Sequence, residues 1–322
     1  MKQVRIERSF VAAESLAELL MEEYDLGGDA TCKLFTKMLR SQDNDHYQVR
    51  VDGQKSYVAR VYQLGRDLHR TRDDYEYEMA WLNYLHGRGH RVAHPIARTD
   101  GGYIGLIDAP EGPRYYGMFS YVEGTEMPIN QAGLYFRMGQ AMAEIHLDSA
   151  DFNTDYLRQP WDFEQLIDRS VERVKRNWSD KRAADFDLLM ASADDAREQI
   201  LSLLGNDKAP EVWGTIGGDF HTANTFVNQR QELSFINFDL CGYGWFAYDI
   251  AVFLLNTELL NRPVELSESF FAGYFSVRPL APEEHESIES FMTLRRVWLT
   301  GTFAMSGGFA GHTFIASANR EE

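Results

Sequence analysis

Near the start of the chain Leu16, Leu19, Leu20 and Met21 recur at helical spacing over residues 13–25, and the Gly27–Gly28 pair ends that segment. The period then changes. Cys32–Leu39, His46–Val51 and Ser56–Tyr62 have strand character, and Asp52–Gly53 between two alternating runs is a tight-hairpin signal. An antiparallel sheet is expected there. A helix follows over Arg72–His86, with Met79, Leu82 and Leu85 on one side and several acids on the other. A strand pair is expected around Gly101–Gly102 and Gly117–Val122, then a short connector at Glu123–Gly124. Helical periodicity dominates the rest, over Gln131–His146, Phe163–Val174, Ala183–Leu204 and Pro282–Trp298. The pattern describes an α+β chain in two parts, β-rich over residues 1–121 and larger and α-rich over 122–322, with a ligand site expected between them.

Composition narrows the function classes. At 322 residues and 44% hydrophobic, the chain is long enough for two packed cores. A formal net charge of −17 argues against a general nucleic-acid binder, whose affinity comes from clustered Lys and Arg. It leaves room for a nucleotide neutralised by one metal ion and a few local cations, and it suits an amine-bearing substrate. Cys32 and Cys241 are the two cysteines, far apart, so neither a disulfide framework nor a cysteine zinc site is indicated. The opening Met-Lys-Gln-Val-Arg-Ile-Glu has no apolar segment behind it. The apolar run Trp245–Leu255 is interrupted by Asp249 and too short to span a bilayer. A cytoplasmic protein without membrane attachment is expected; nothing in the sequence fixes its oligomeric state.

The candidate chemistry lies in Gly217-Gly218-Asp219-Phe220-His221-Thr222-Ala223-Asn224, followed by Phe235-Ile236-Asn237-Phe238-Asp239. Asp219 and Asn224, five residues apart on one loop, can face a common space, and a further oxygen arrives from the next strand. Mg2+ takes hard oxygen ligands, often only one or two of them from protein. Asn224 with Asn237 and Asp239 can supply these, leaving Asp219 to orient an attacking hydroxyl. Each of these residues alone reads more readily as a turn residue than as a catalyst; together they suggest a site for a metal-bound phosphate.

On these residues the chain resembles the aminoglycoside phosphotransferase and choline kinase-like small-molecule kinases of the protein kinase-like fold, nearest the homoserine kinase-like and stress-response kinase-like bacterial branch. The resemblance implies a two-lobe fold, with a small antiparallel β lobe carrying a helix and a larger, mainly α lobe. It also implies transfer of the γ-phosphate of ATP or GTP, with Mg2+, to a hydroxyl of a small molecule. The family's loop reads HGDxHxxN, which residues 217–224 fit except that Gly217 stands where His is usual. Its metal strand usually begins with an acid, for which this chain has Asn237.

By the same resemblance Arg60 takes the place of the phosphate-gripping lysine and Glu78 that of its helix partner, with Glu76 a near alternative. Ser41 and Asn44 stand in the phosphate-loop position, and Tyr121 in the connector that receives the purine. Asp249 reads as an acid tying down the loop, His221 as loop support and His146 as a helix-end residue. Tyr243, Trp245, Arg295, Arg296 and Trp298 are candidates to line the acceptor pocket. The competing expectation, drawn from Gly217 and Asn237, is a degenerate kinase-fold protein that binds without efficient turnover.

Overall fold

A computed structural model describes residues 4, 6, 8–34, 44–63, 70–177, 183–206 and 208–304. The chain divides into two compact units, residues 1–123 with 154–157, and residues 124–153 with 158–322.

The first unit is built on five antiparallel strands, β1 (Ala30–Leu34), β2 (Asp45–Val51), β3 (Lys55–Val61), β4 (Gly105–Ala109) and β5 (Gly112–Ser120), in the order β1-β2-β3-β5-β4. Asp52 and Gly53 both have positive φ, 48° and 70°, and the Gln54 N–H donates to Val51 O at 3.1 Å, so a tight turn within the three-residue loop closes the β2–β3 hairpin. Tyr47, Val49 and Val51 alternate onto one buried face. That face packs with Ala59, Val61, Tyr116 and Met118 against Leu16, Leu20 and Tyr24 at the α1 (Ala13–Glu23) end of the unit. Helix α2 (Arg72–Gly87) starts at Thr71, whose N–H and hydroxyl both donate to the Asp74 carboxylate, at 2.7 and 3.1 Å.

The strand pair expected around Gly101–Gly102 is displaced. Gly101 (φ 85°) does turn the chain, its N–H donating to Arg98 O, but the β4–β5 hairpin turns at Pro110–Glu111. The glycine pair closes a loop ahead of the strands rather than the connection between them.

The second unit contains α3 (Ala132–Ser149), α4 (Arg169–Asn177), α5 (Ala183–Leu204), α6 (Phe246–Leu259), α7 (Val264–Phe275) and α8 (Pro282–Ala304). A π-helical turn, Glu164–Asp168, leads into α4. Helices α3 and α7 cross closely: a Cβ on Gly139 would lie 2.0 Å from Phe270 O, and one on Gly273 would lie 1.9 Å from Phe136 O. Glycine is required at both contacts because the facing atoms are backbone. Helix α8 packs against α4, α5 and α6. Among the described residues no helix is long and apolar enough to cross a membrane.

Two small sheets position the loop of interest. Strand β7 (Trp213–Ile216) pairs antiparallel with β10 (Gly242–Trp245), so Ile216 lies opposite Gly242. The segment leaving β7 and the segment entering β10 are therefore held at one end of the ladder. Between them β8 (Thr225–Val227) pairs with β9 (Leu233–Phe235) and with β6 (Thr125–Glu126). Residues 217–224 and 236–241 are brought side by side by this register.

Candidate active site

Gly217 and Gly218 carry the chain out of β7, and both of their N–H groups donate to the Asp249 carboxylate, at 2.7 and 2.8 Å. Asp249 lies buried in the first turn of α6, where a negative charge is favoured by the helix dipole. It thus ties down the loop through the backbone. Gly218 has φ +73°, and a Cβ there would lie 2.3 Å from Leu240 O, so this position admits glycine alone. Gly217 differs: an added Cβ would meet Asp249, Phe220 and Phe238 at 3.4–3.5 Å, ordinary van der Waals contact.

Behind Asp249 runs a buried polar chain. His146 Nε2 lies 3.4 Å from Asp249 Oδ2, and its Nδ1 is 2.8 Å from the Tyr274 hydroxyl. Arg278 donates to that hydroxyl and to the Glu284 carboxylate, both at 3.0 Å. Burial pushes the His146 pKa down more than Asp249 pulls it up, leaving the imidazole neutral. His146 stands in the last turn of α3, as expected of a helix-end residue, and is also an interior link. The sequence did carry a signal for this, because His146 follows Met138, Met142 and Ile145 on the buried stripe of that helix.

Asp219 follows Gly218 and is reached by three side chains. Its Oδ1 forms an ion pair with Arg295 NH2. Its Oδ2 lies 3.3 Å from both His221 Nε2 and Asn224 Nδ2. His221 Nδ1 accepts the Ala223 N–H at 3.2 Å, which leaves Nε2 to carry a ring proton toward Asp219. Burial raises the Asp219 pKa, but the charges of His221 and Arg295 and their hydrogen bonds outweigh it. The carboxyl is held well below the usual carboxylate range and stays ionised.

Asn224 ends the single 3-10 turn Thr222–Asn224, and its Nδ2 also donates to Asp219 O at 2.9 Å. Its Oδ1 faces Asn237 Nδ2 at 3.4 Å. Asn237 has φ +65°, a conformation that asparagine tolerates better than most residues. Strand β9 stops at Phe235, so Asn237 stands in the irregular segment beyond it and not on the expected strand. Asp219, Asn224 and Asn237 line one small cavity, with Phe220 and Phe238 among its apolar walls. Asp239 is buried in the turn that follows and is not among the residues lining that cavity.

Among the described residues no group of three or more His, Cys, Asp or Glu side chains is placed to hold a metal ion. Hard oxygen donors at this cavity would have to come mainly from the two amides. Asn224 Oδ1 has only a long contact there, and both asparagines are half-buried, so the donor set suits a divalent ion that keeps phosphate and water ligands.

In the first unit Arg60 NH1 meets Glu78 Oε1 at 2.6 Å, and both are buried. Tyr62 donates to the other oxygen of Glu78 at 3.1 Å. Arg60 also donates to His46 Nε2 at 3.2 Å and lies over the Phe119 ring at 4.5 Å. Glu76, the alternative partner, is engaged instead by Arg72. Asn44 is buried, its Oδ1 accepting the Gln63 N–H at 3.2 Å, while Tyr121 is 39% exposed beyond the end of β5. Ser41 lies outside the described residues.

The suggested pocket-lining residues separate by role. Trp245 packs against Trp213, Phe163 and Phe291, Trp298 packs against Trp161, and Arg296 pairs with Glu258 at 2.5 Å. Arg295 reaches the loop itself.

Comparison with known proteins agrees with this architecture. An uncharacterized protein of Deinococcus radiodurans is 32% identical over 302 residues, covering 92% of this chain and 83% of that protein. The solved structure of amicoumacin kinase hAmiN in complex with AMP-PNP, Ca2+ and Ami superposes with a TM-score of 0.74 at 19% identity, covering 94% of this chain and 91% of that one. The microcompartment-associated aminopropanol kinase superposes with a TM-score of 0.73 at 24% identity, covering 95% and 97%. The fold is the α+β, protein kinase-like fold of the small-molecule kinases. Residues 36–286 match the phosphotransferase enzyme family, APH, and the chain belongs to that family.

Proposed function

We propose that this phosphotransferase moves the γ-phosphoryl group of ATP or GTP to a hydroxyl of a small, amine-bearing molecule. The observation that carries the reading is the convergence of ionised Asp219 with Asn224 and Asn237 on one cavity. In this reading Asp219 accepts the hydrogen bond of the acceptor hydroxyl through Oδ2 and aims its oxygen for in-line attack. A carboxylate with so low a pKa is a weak base, so orientation outweighs early proton abstraction. That suits a loose transition state, in which catalysis is largely positioning and charge stabilisation.

Asn224 and Asn237 would hold Mg2+ through their amide oxygens, Asn237 presenting oxygen in place of its N–H, with Asp239 a further candidate. The ion, when bound, neutralises charge developing on the phosphates. Arg60, steadied by Glu78, is assigned to the nucleotide phosphates. A guanidinium does this in a two-pronged manner unavailable to lysine. Ser41, Asn44 and Tyr121 stay as proposed nucleotide neighbours, and residues 1–121 and 122–322 as nucleotide and catalytic lobes. The nucleotide and divalent ion named with hAmiN, and the amino alcohol named with the aminopropanol kinase, support the choice of reactants.

Thermal unfolding with AMP-PNP or its GTP counterpart, each with and without Mg2+, tests the binding half of the proposal. A rise in midpoint that needs both nucleotide and metal is expected. No rise with either nucleotide would contradict it.

A further inference from the structure

Arg295 is a buried arginine on α8, nine residues beyond the segment that matches the family, and it is 5% exposed. Its guanidinium is divided between two consecutive residues of the loop. NH1 donates to Gly218 O at 3.1 Å and to the Tyr248 hydroxyl at 3.3 Å, while NH2 pairs with Asp219 Oδ1. The Trp298 ring lies beneath the guanidinium carbon at 4.5 Å and covers it. We propose that Arg295 is the positioning residue for Asp219, holding one carboxylate oxygen so that the other faces the acceptor hydroxyl. This rests on the catalytic reading of Asp219.

The geometry favours positioning over a role in binding substrate. A guanidinium that contacts both the carbonyl of Gly218 and the side chain of the next residue fixes the carboxylate relative to its own backbone. Tyr248 on α6 limits sideways movement. The remaining contacts to Asp219 are the two at 3.3 Å on Oδ2, the atom an acceptor would use. Among the described residues no other side chain holds Oδ1, so without Arg295 the carboxylate would turn more freely about its broad terminal torsion. A lysine supplies charge from one nitrogen and cannot make both contacts in the same geometry. The arginine itself stays charged: burial disfavours the cation, but Tyr248 and Asp219 more than restore it.

The test compares the full-length protein with Arg295→Met, Arg295→Lys and Asp219→Asn. The probe is Mg·ATP with whichever amino alcohol the wild type phosphorylates fastest, or Mg·ATP alone, where water stands in for the acceptor. Arg295→Met is expected to lower kcat about 100-fold, the scale of a misplaced reacting group, with the KM for ATP within about twofold. Arg295→Lys is expected to fold normally and recover part of that loss, stopping about tenfold short of wild type. If Arg295→Met does not fold, Arg295→Lys decides alone. A wild-type kcat in either arginine variant, with Asp219→Asn inactive, overturns the inference and leaves the function standing. So does a loss confined to KM. Full activity in Asp219→Asn overturns the catalytic reading itself, as does a wild type that neither transfers phosphate nor hydrolyses ATP.

Discussion

Replacing Asp249 with alanine should free the loop that carries Asp219, and the structure sets the size of the effect. The carboxylate accepts two buried backbone N–H groups, from Gly217 at 2.7 Å and Gly218 at 2.8 Å. Hydrogen bonds to a charged group contribute about 1.5–3 kcal/mol each, and each N–H left buried without a partner costs a similar amount. Removing a desolvated carboxylate returns part of this, because burying that charge was itself unfavourable. The His146 contact at 3.4 Å is too long to add much. A net loss of about 3–5 kcal/mol is expected. Asp249→Asn should lose roughly half as much, since its single amide oxygen can serve one N–H well and its NH2 would oppose the other. Urea unfolding followed by tryptophan fluorescence reads the midpoint, and hydrogen exchange at the Gly217 and Gly218 amides reads the loop directly. A loss below about 1 kcal/mol for Asp249→Ala, with both amides still protected, would refute the claim that this carboxylate anchors the loop.

Three further outcomes follow from the site. Gly218→Ala places a Cβ 2.3 Å from a carbonyl at positive φ and should cost more than about 3 kcal/mol, whereas Gly217→Ala should stay within about 1 kcal/mol; equal thermal shifts would contradict the contacts described. Asn237→Asp restores a full negative charge and should tighten Mg2+ binding in the presence of AMP-PNP about tenfold or more by calorimetry; an unchanged affinity would remove Asn237 from the metal's ligands. His146, held neutral by burial, has a folded pKa below its unfolded one, so the unfolded state takes up the proton first on acidification. Its share of stability is present above pH about 6.5 and is lost as pH falls below that. His146→Gln should flatten the stability profile in this range, and an unaltered slope would count against a buried neutral imidazole.

The hairpins and helices with one apolar face were legible because their periodicity is local. Asp52–Gly53 encoded its turn directly, and α2 follows the stripe Met79, Leu82, Leu85. Helix α6 was harder to read. Every residue from Phe246 to Phe253 is buried, so no exposed polar face interrupts the run to reveal a helical period. The loop residues Asp219, Asn224 and Asn237 could be suspected from residue type and order, but the bend at Asn237 could not. The expected strand there depended on a β pairing that ends at Phe235. Arg295 was visible only as an arginine on a helix. Its contact with a residue 76 positions earlier comes from the way α8 packs beside α6, which no local pattern encodes. Asn44 illustrates the same limit: that its Oδ1 accepts the Gln63 N–H, 19 positions on, could not be read from its sequence context.

The central claim is that Asp219 directs phosphoryl transfer from a magnesium nucleotide. Its most direct test follows label from γ-32P-ATP into product across amino alcohols, hydroxy amino acids and aminoglycosides, for the wild type and Asp219→Ala side by side. Metal-dependent labelling of at least one acceptor by the wild type, reduced about 100-fold or more in the variant, is the predicted result. Equal labelling by the two proteins would contradict the account.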